Sequence, residues 1–335
     1  MCYAVVFLIC FAIYRVELRR TGRQGAVVIV ATCLFLTGIV NNVHKYYIDE
    51  RKDLFPYISD EAWQETLQEA VVDLRADVAP HSYRFLPNGI VRWLQLGKVD
   101  FRAAADIYRL ITGLLLFYAI YCFARRYTTF AGATIAMLLT ASLYAISFEH
   151  YAGQLTDPLS HLSFVVAFIS LATANFPLLF TTLLIGSLAK ETVLALAGFY
   201  VLFCRTDKRY EFKAVLLCAA CVAFYYAVRY FVLHQSMSYR SISLTDPGHI
   251  STALNSPEWP PIVLLIVFGP AYFLVAAWKE TPPILTRLYL FLLPVLLTTS
   301  FVFSWPQEGR NYMPLVYILG VIAGRYCTRR GDAIS

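Results

Sequence analysis

Lys190 and Glu191 stand side by side in an otherwise apolar run, residues 177–204. A single helix through that run would hold both charges at its centre, at a cost of about 2.5–3.5 kcal/mol for a central lysine or acid. Two short helices meeting at Lys190-Glu191 avoid that cost. They also keep the next basic group, Arg205, Lys208, Arg209 and Lys213, on the inner side. Ionisable residues inside membrane-like sequence are functional candidates. The plainer alternative is a lysine and glutamate that pair with each other at a helix hairpin.

Other groups have similar potential. Glu149, His150, Asp157 and His161 lie in or beside a short connection, 148–160, between two apolar stretches. They read either as a carboxylate and imidazole cluster facing an outer cavity, or as a helix start in which Asp157 caps and Pro158 takes the first position. Glu308 and Arg310 sit at the mouth of the last apolar stretch, where the arginine can grip phosphate bidentately or pair with Glu308. Arg84 falls in a proline-bounded turn, 79–87, near the membrane plane. Asp49, Glu50 and Asp53 lie in the one long polar segment, 43–109, which carries most of the acids able to do chemistry.

Metal and thiol chemistry find less support. His44, His81, His150, His161, His234 and His249 all fall on the outer side, at spacings that match no ordinary metal signature. The eight cysteines lie in apolar stretches or at inner ends, so no disulfide framework is implied. Cys218 and Cys221 form a C-x-x-C in the middle of a span, where thiols pack.

The elements that must position these groups follow from composition. The chain is 59% hydrophobic and 15% charged, with a mean hydropathy of +0.58. A soluble domain is about 45–50% apolar and about 25% charged, so this is a polytopic, all-α integral membrane protein, one domain over residues 1–335. Eleven apolar stretches are candidate spans: 2–14, 26–40, 108–123, 129–147, 159–172, 178–188, 193–204, 214–232, 262–277, 288–303 and 312–324. Several are shorter than the roughly 20 residues a crossing needs. The first opens without a basic region or cleavage site, so it reads as a short span or a truncated start and not as a signal peptide.

Basic residues set the orientation, because they are retained on the cytoplasmic side. Inner loops centred on Arg19, Arg125, Asn175, Lys208, Lys279 and Arg329 hold fifteen of the 28 basic residues but five of the 22 acids. That arrangement puts the N-terminus outside and the C-terminus in the cytoplasm. It also accounts for the pI near 8.8 through topology, without nucleic-acid binding. On the outer side lie a large loop, 43–107, and a second polar loop, 234–260, with turns at Asp246-Pro247-Gly248 and Pro257.

The large loop has its own helical pattern. Ser59 is a candidate N-cap followed by Asp60 and Glu61. Trp63, Leu67, Ala70, Val71, Leu74 and Val78 then recur at helical spacing opposite Gln64, Glu65, Gln68, Glu69 and Asp73. A second amphipathic helix is expected over 88–96, with Arg92 and Trp93 suited to the membrane interface and Gly97 as its stop.

In this order the segments resemble the GT-C superfamily of polyprenyl-phosphate-dependent membrane glycosyltransferases. Tyr83-Arg84-Phe85-Leu86-Pro87 is similar to an element of that superfamily's first outer loop. Lys190-Glu191 resembles its Lys-Glu element, and Arg310-Asn311-Tyr312 with Pro314 its Arg-Tyr-x-x-Pro element; the resemblance spans roughly residues 26–324. It implies transfer of a sugar from a polyprenyl-phosphate donor to an acceptor on the extracytoplasmic side of a bacterial plasma membrane. A carboxylate takes the acceptor's proton and cations hold the leaving phosphate. By this resemblance Asp49 is the base and Asp157 a second acid, with Arg84, Lys190 and Arg310 on the phosphate. Glu50, Asp53, Tyr83, His161, Glu191, Glu308 and Tyr312 support them, and a divalent metal ion on Asp49, Asp157 or His161 is compatible with the set. The partners implied are membrane lipids, the lipid-linked sugar and other membrane proteins. Two further classes fit the same composition: a non-catalytic subunit of a larger membrane complex, and a transporter or lipid flippase. The latter should carry internal pseudo-symmetry, and no repeat is evident.

Overall fold

The computed structural model describes residues 2–49, 61–76, 84–147, 154–204, 210–232 and 247–332, and every regular element among them is helical. Among the described residues six helices are long and apolar enough to cross a membrane: α1 (Cys2–Asp49), α4 (Phe101–Ala124), α5 (Phe130–Ser147), α9 (Tyr210–Ala227), α11 (Trp259–Ala276) and α12 (Pro283–Phe303). The expected eleven is therefore corrected to six. The first two stretches merge in α1. Four others are too short: α6 (Thr156–Ala172), α7 (Phe176–Ser187), the segment Glu191–Phe203, and the apolar half of α13 (Met313–Asp332), whose second half carries Arg325 and Arg329. Two amphipathic helices, α2 (Glu61–Val72) and α3 (Phe85–Gln95), precede α4.

The inner loop expected after residue 14 is instead a break within α1 at Gly22, whose φ of 75° and ψ of 179° suit glycine. Cys10 and Cys33 would stand about 35 Å apart on a straight helix rising 1.5 Å per residue, yet they lie close enough to interact. The two halves of α1 therefore fold toward one another. Ile13, Ile29, Cys33, Leu36 and Val40 from both halves join one core. Buried Glu17 accepts from Tyr118 Oη of α4 at 2.9 Å.

Helices α5 and α13 pack backbone against backbone. A Cβ on Gly324 would lie 2.0 Å from the Gly132 carbonyl oxygen, so both positions need glycine for the backbones to touch. Arg325 Nη1 donates to the Tyr127 carbonyl at 2.7 Å at the same end. This contact packs the second half of α13 against the start of α5; at the other end, Gly309, beside Arg310, lies against Ser147, the last residue of α5.

Local corrections have simple causes. α2 ends at Val72, so Leu74 is exposed at a φ of 60° and not part of its apolar face. Gln68, expected on the polar face, is buried because its Nε2 donates to Asn88 Oδ1 of α3 at 2.7 Å. α3 begins at Phe85, three residues early, with Pro87 in its first turn where a missing N–H costs nothing. The polar loop expected over 234–260 contains a helix, α10 (Pro247–Asn255). Ser59, Val78, His81, Glu149, His150 and His234 lie outside the described residues.

Candidate functional site

Lys190 stands in the break foreseen from its charge. α7 stops at Ser187, Lys190 is extended (φ −160°, ψ 126°), and Glu191–Leu194 forms a 3-10 turn before α8 (Ala195–Phe203). The Leu188 carbonyl accepts from Leu86 N–H at 3.3 Å, which ties the start of α3 and neighbouring Arg84 to this break. A second 3-10 turn, Gly309–Tyr312, carries Arg310 between α12 and α13. Tyr312 Oη donates to the Pro306 carbonyl at 2.9 Å and holds that turn in shape.

These segments meet around Asp157. Its Oδ1 accepts from Lys190 Nζ at 3.1 Å and its Oδ2 from Arg310 Nη1 at 2.8 Å. Arg310 also donates from Nε (3.1 Å) and Nη2 (2.7 Å) to Glu308 Oε2. All four residues are buried. Asp157 does not cap α6, as one sequence reading had it: the helix begins at Thr156, with no side-chain cap. The paired Lys190 and Glu191 of the plainer reading are also absent. Lys190 turns to Asp157, while Glu191 meets Arg84, whose Nε lies 3.4 Å from its Oε2.

Burial pushes the Lys190 ammonium below its ordinary range, and Asp157 partly restores it. Among the described residues three cations (Arg84, Lys190, Arg310) face three carboxylates (Asp157, Glu191, Glu308), and such pairing is how charges persist in a low-dielectric interior.

A cavity of about 370 Å³ opens beside the cluster. Arg84, Lys190, Glu191, Glu308, Arg310 and His161 reach its wall, and Phe164, Ala195, Val295, Leu296 and Pro314 supply an apolar side. Its size lies within the range of about 300–1,000 Å³ usual for small-molecule sites. Sequence reasoning missed Asn311 as a site residue. Its Oδ1 accepts from Lys190 Nζ at 2.9 Å, its Nδ2 donates to Glu308 Oε2 at 3.3 Å, and it lines the cavity. The only signal was its place next to Arg310.

His161 donates from Nε2 to the Arg310 carbonyl at 3.1 Å and meets the rings of Tyr144 and Tyr317 edge-on. Both Asp157 oxygens are engaged by cations, while His161 Nδ1 is buried with no hydrogen-bond partner among the described residues. Among the described residues no group of three His, Cys, Asp or Glu is placed to hold one.

Asp49, the base implied by the resemblance, is the last residue of α1. That helix packs on α2, α4 and α5 and contributes no described residue to the cavity wall. Glu50, Asp53 and Tyr83 lie outside the described residues. No family model matches the chain, and no curated protein or solved structure matches it either.

Proposed function

We propose that this membrane protein is a GT-C-like glycosyltransferase, moving a sugar from a polyprenyl-phosphate donor to a hydroxyl acceptor. One observation carries the reading: Arg84, Lys190 and Arg310, from three distant parts of the chain, converge on one cavity with an apolar opposite wall. A lipid-linked sugar phosphate presents that same combination, an anion attached to a long apolar chain. Cations held in place before reaction stabilise the charge that develops on the departing phosphate without having to reorganise. Arg84 and Arg310 can bind phosphate oxygens in pairs, and Lys190 adds a compact third charge. Under this reading the cavity faces the extracytoplasmic side, with the C-terminus in the cytoplasm.

The test is sugar transfer by the purified full chain in lipid nanodiscs, across a panel of labelled polyprenyl-phosphate sugars. Turnover with at least one donor, lost in Arg310→Met and Lys190→Met while the protein stays monodisperse, is the expected result. The mutually paired charges of the cluster also fit a purely structural role in a non-catalytic subunit. No turnover with any donor, together with stable co-purification of another membrane protein, would favour that second reading.

A further inference from the structure

An ammonium has three N–H bonds to give and accepts none. Two of those on Lys190 are taken: Nζ donates to Asp157 Oδ1 at 3.1 Å and to Asn311 Oδ1 at 2.9 Å. The third has no acceptor among the described residues, although the side chain is only 8% exposed and lines the cavity. Bonds to α6 and to the turn before α13 fix two tetrahedral directions of the ammonium, and so they fix the third.

Asn311 can hold its amide in only one sense. Lys190 only donates, so it requires Oδ1. The Glu308 carboxylate only accepts, so it requires Nδ2, which lies 3.3 Å from Glu308 Oε2 and 3.3 Å from Ser304 Oγ. Glu308 Oε2 also takes two bonds from Arg310. The amide therefore ties the lysine into the frame that holds the arginine. Asp157 orients the same two cations but offsets their charge; Asn311 orients Lys190 while adding no charge that would oppose an anion.

Resting on the phosphate-binding part of the reading above, we infer that Asn311 is a positioning residue: its amide directs the remaining N–H of Lys190 to one oxygen of the lipid phosphate. Lys190 then contributes a directed bond as well as a charge. Accepting from the ammonium also favours its charged form, against the burial that holds it below the ordinary lysine range. The charged and titratable groups facing Lys190 are Asp157 and His161 of α6, Glu308 and Arg310 of the turn, and Arg84. A substitution at Asn311 replaces none of them.

The experiment measures the affinity of the full chain in nanodiscs for polyprenyl monophosphate, from about pH 7 to about pH 10. The lipid phosphate has a second pKa of about 6, so its own charge is constant there. Asn311→Leu should lose about tenfold in affinity at the start of that range, and its alkaline decline should begin at a lower pH than in wild type. In the Lys190→Arg background the same change should move no decline, because arginine does not titrate in this interval. Weaker affinity with an unmoved decline, the mark of a residue that only supports the fold, overturns the inference. Wild-type affinity in Asn311→Leu overturns it too, as does a shift that persists beside Lys190→Arg. Should Asn311→Leu fail to purify, Asn311→Asp decides: a carboxylate against Lys190 should move the decline to higher pH, and an unmoved decline overturns the inference. A wild type that binds no polyprenyl monophosphate overturns the phosphate reading of the cavity, and this inference with it. Binding by wild type with no sugar transfer overturns the transferase reading alone.

Discussion

Asp157 and Arg310 are separated by 153 residues in sequence, yet their side chains meet at 2.8 Å with both groups buried. The pair locks the entry to α13 onto the first turn of α6. Lys190, on the other oxygen of Asp157, brings in the break after α7. One carboxylate thus joins three segments that hydrophobic packing alone would leave free to slide.

Its removal should be costly. Asp157→Asn leaves two buried cations facing each other without their shared counter-ion, and breaking a buried pair from one side typically costs about 3–5 kcal/mol. Thermal unfolding in detergent, followed by the loss of monodisperse protein, should show a clear drop in midpoint for Asp157→Asn. Asp157→Leu combined with Lys190→Met, Arg310→Met and Glu308→Gln should recover much of it, because the full set leaves no charge of this cluster buried without its counter-ion. If the single variant is as stable as wild type, the charge cluster is not the joint described here.

The contact between α5 and α13 makes a second, independent prediction. Gly324→Val places atoms where the Gly132 carbonyl already lies, at 2.0 Å for the Cβ alone. Overpacking of this kind costs about 1–3 kcal/mol or more, and backbone cannot move aside as a side-chain tip can. Gly38→Ala is the control, since a Cβ there meets nothing within 4 Å. The midpoint should fall for Gly324→Val and stay unchanged for Gly38→Ala.

Parts of this arrangement were legible in the sequence for physical reasons. Two charges inside an apolar run are expensive unless the helix stops, so the break at Lys190-Glu191 follows from hydropathy alone. The choice of partners does not. Lys190 finds Asp157 across 33 residues and Glu191 finds Arg84 across 107, distances over which local pattern carries no information. Span counting failed because hydropathy registers an apolar run but not whether it is long enough to cross, nor whether a glycine break leaves two runs in one element, as Gly22 does in α1. Asn311 escaped notice because an uncharged amide beside Arg310 has no distinguishing composition; its two hydrogen-bonding ends, which bridge Lys190 and Glu308, appear only in three dimensions.

Lys190 gives the last prediction, on pH. Its ammonium is held below the ordinary lysine value of 10.5, chiefly by burial. Only the charged form attracts a phosphate, so its contribution to affinity is present below its lowered pKa and is lost as the pH rises through it. For wild type, affinity for polyprenyl monophosphate in nanodiscs should therefore decline on the alkaline side at a pH lower than a solvent-exposed lysine would set. Lys190→Arg keeps a positive charge that does not titrate in this range, so its affinity should be flat over the same interval, whatever its absolute strength. Lys190→Met should bind weakly at every pH, with no alkaline decline. An alkaline decline that persists unchanged in Lys190→Arg would assign the titration to another group and remove Lys190 from the phosphate site.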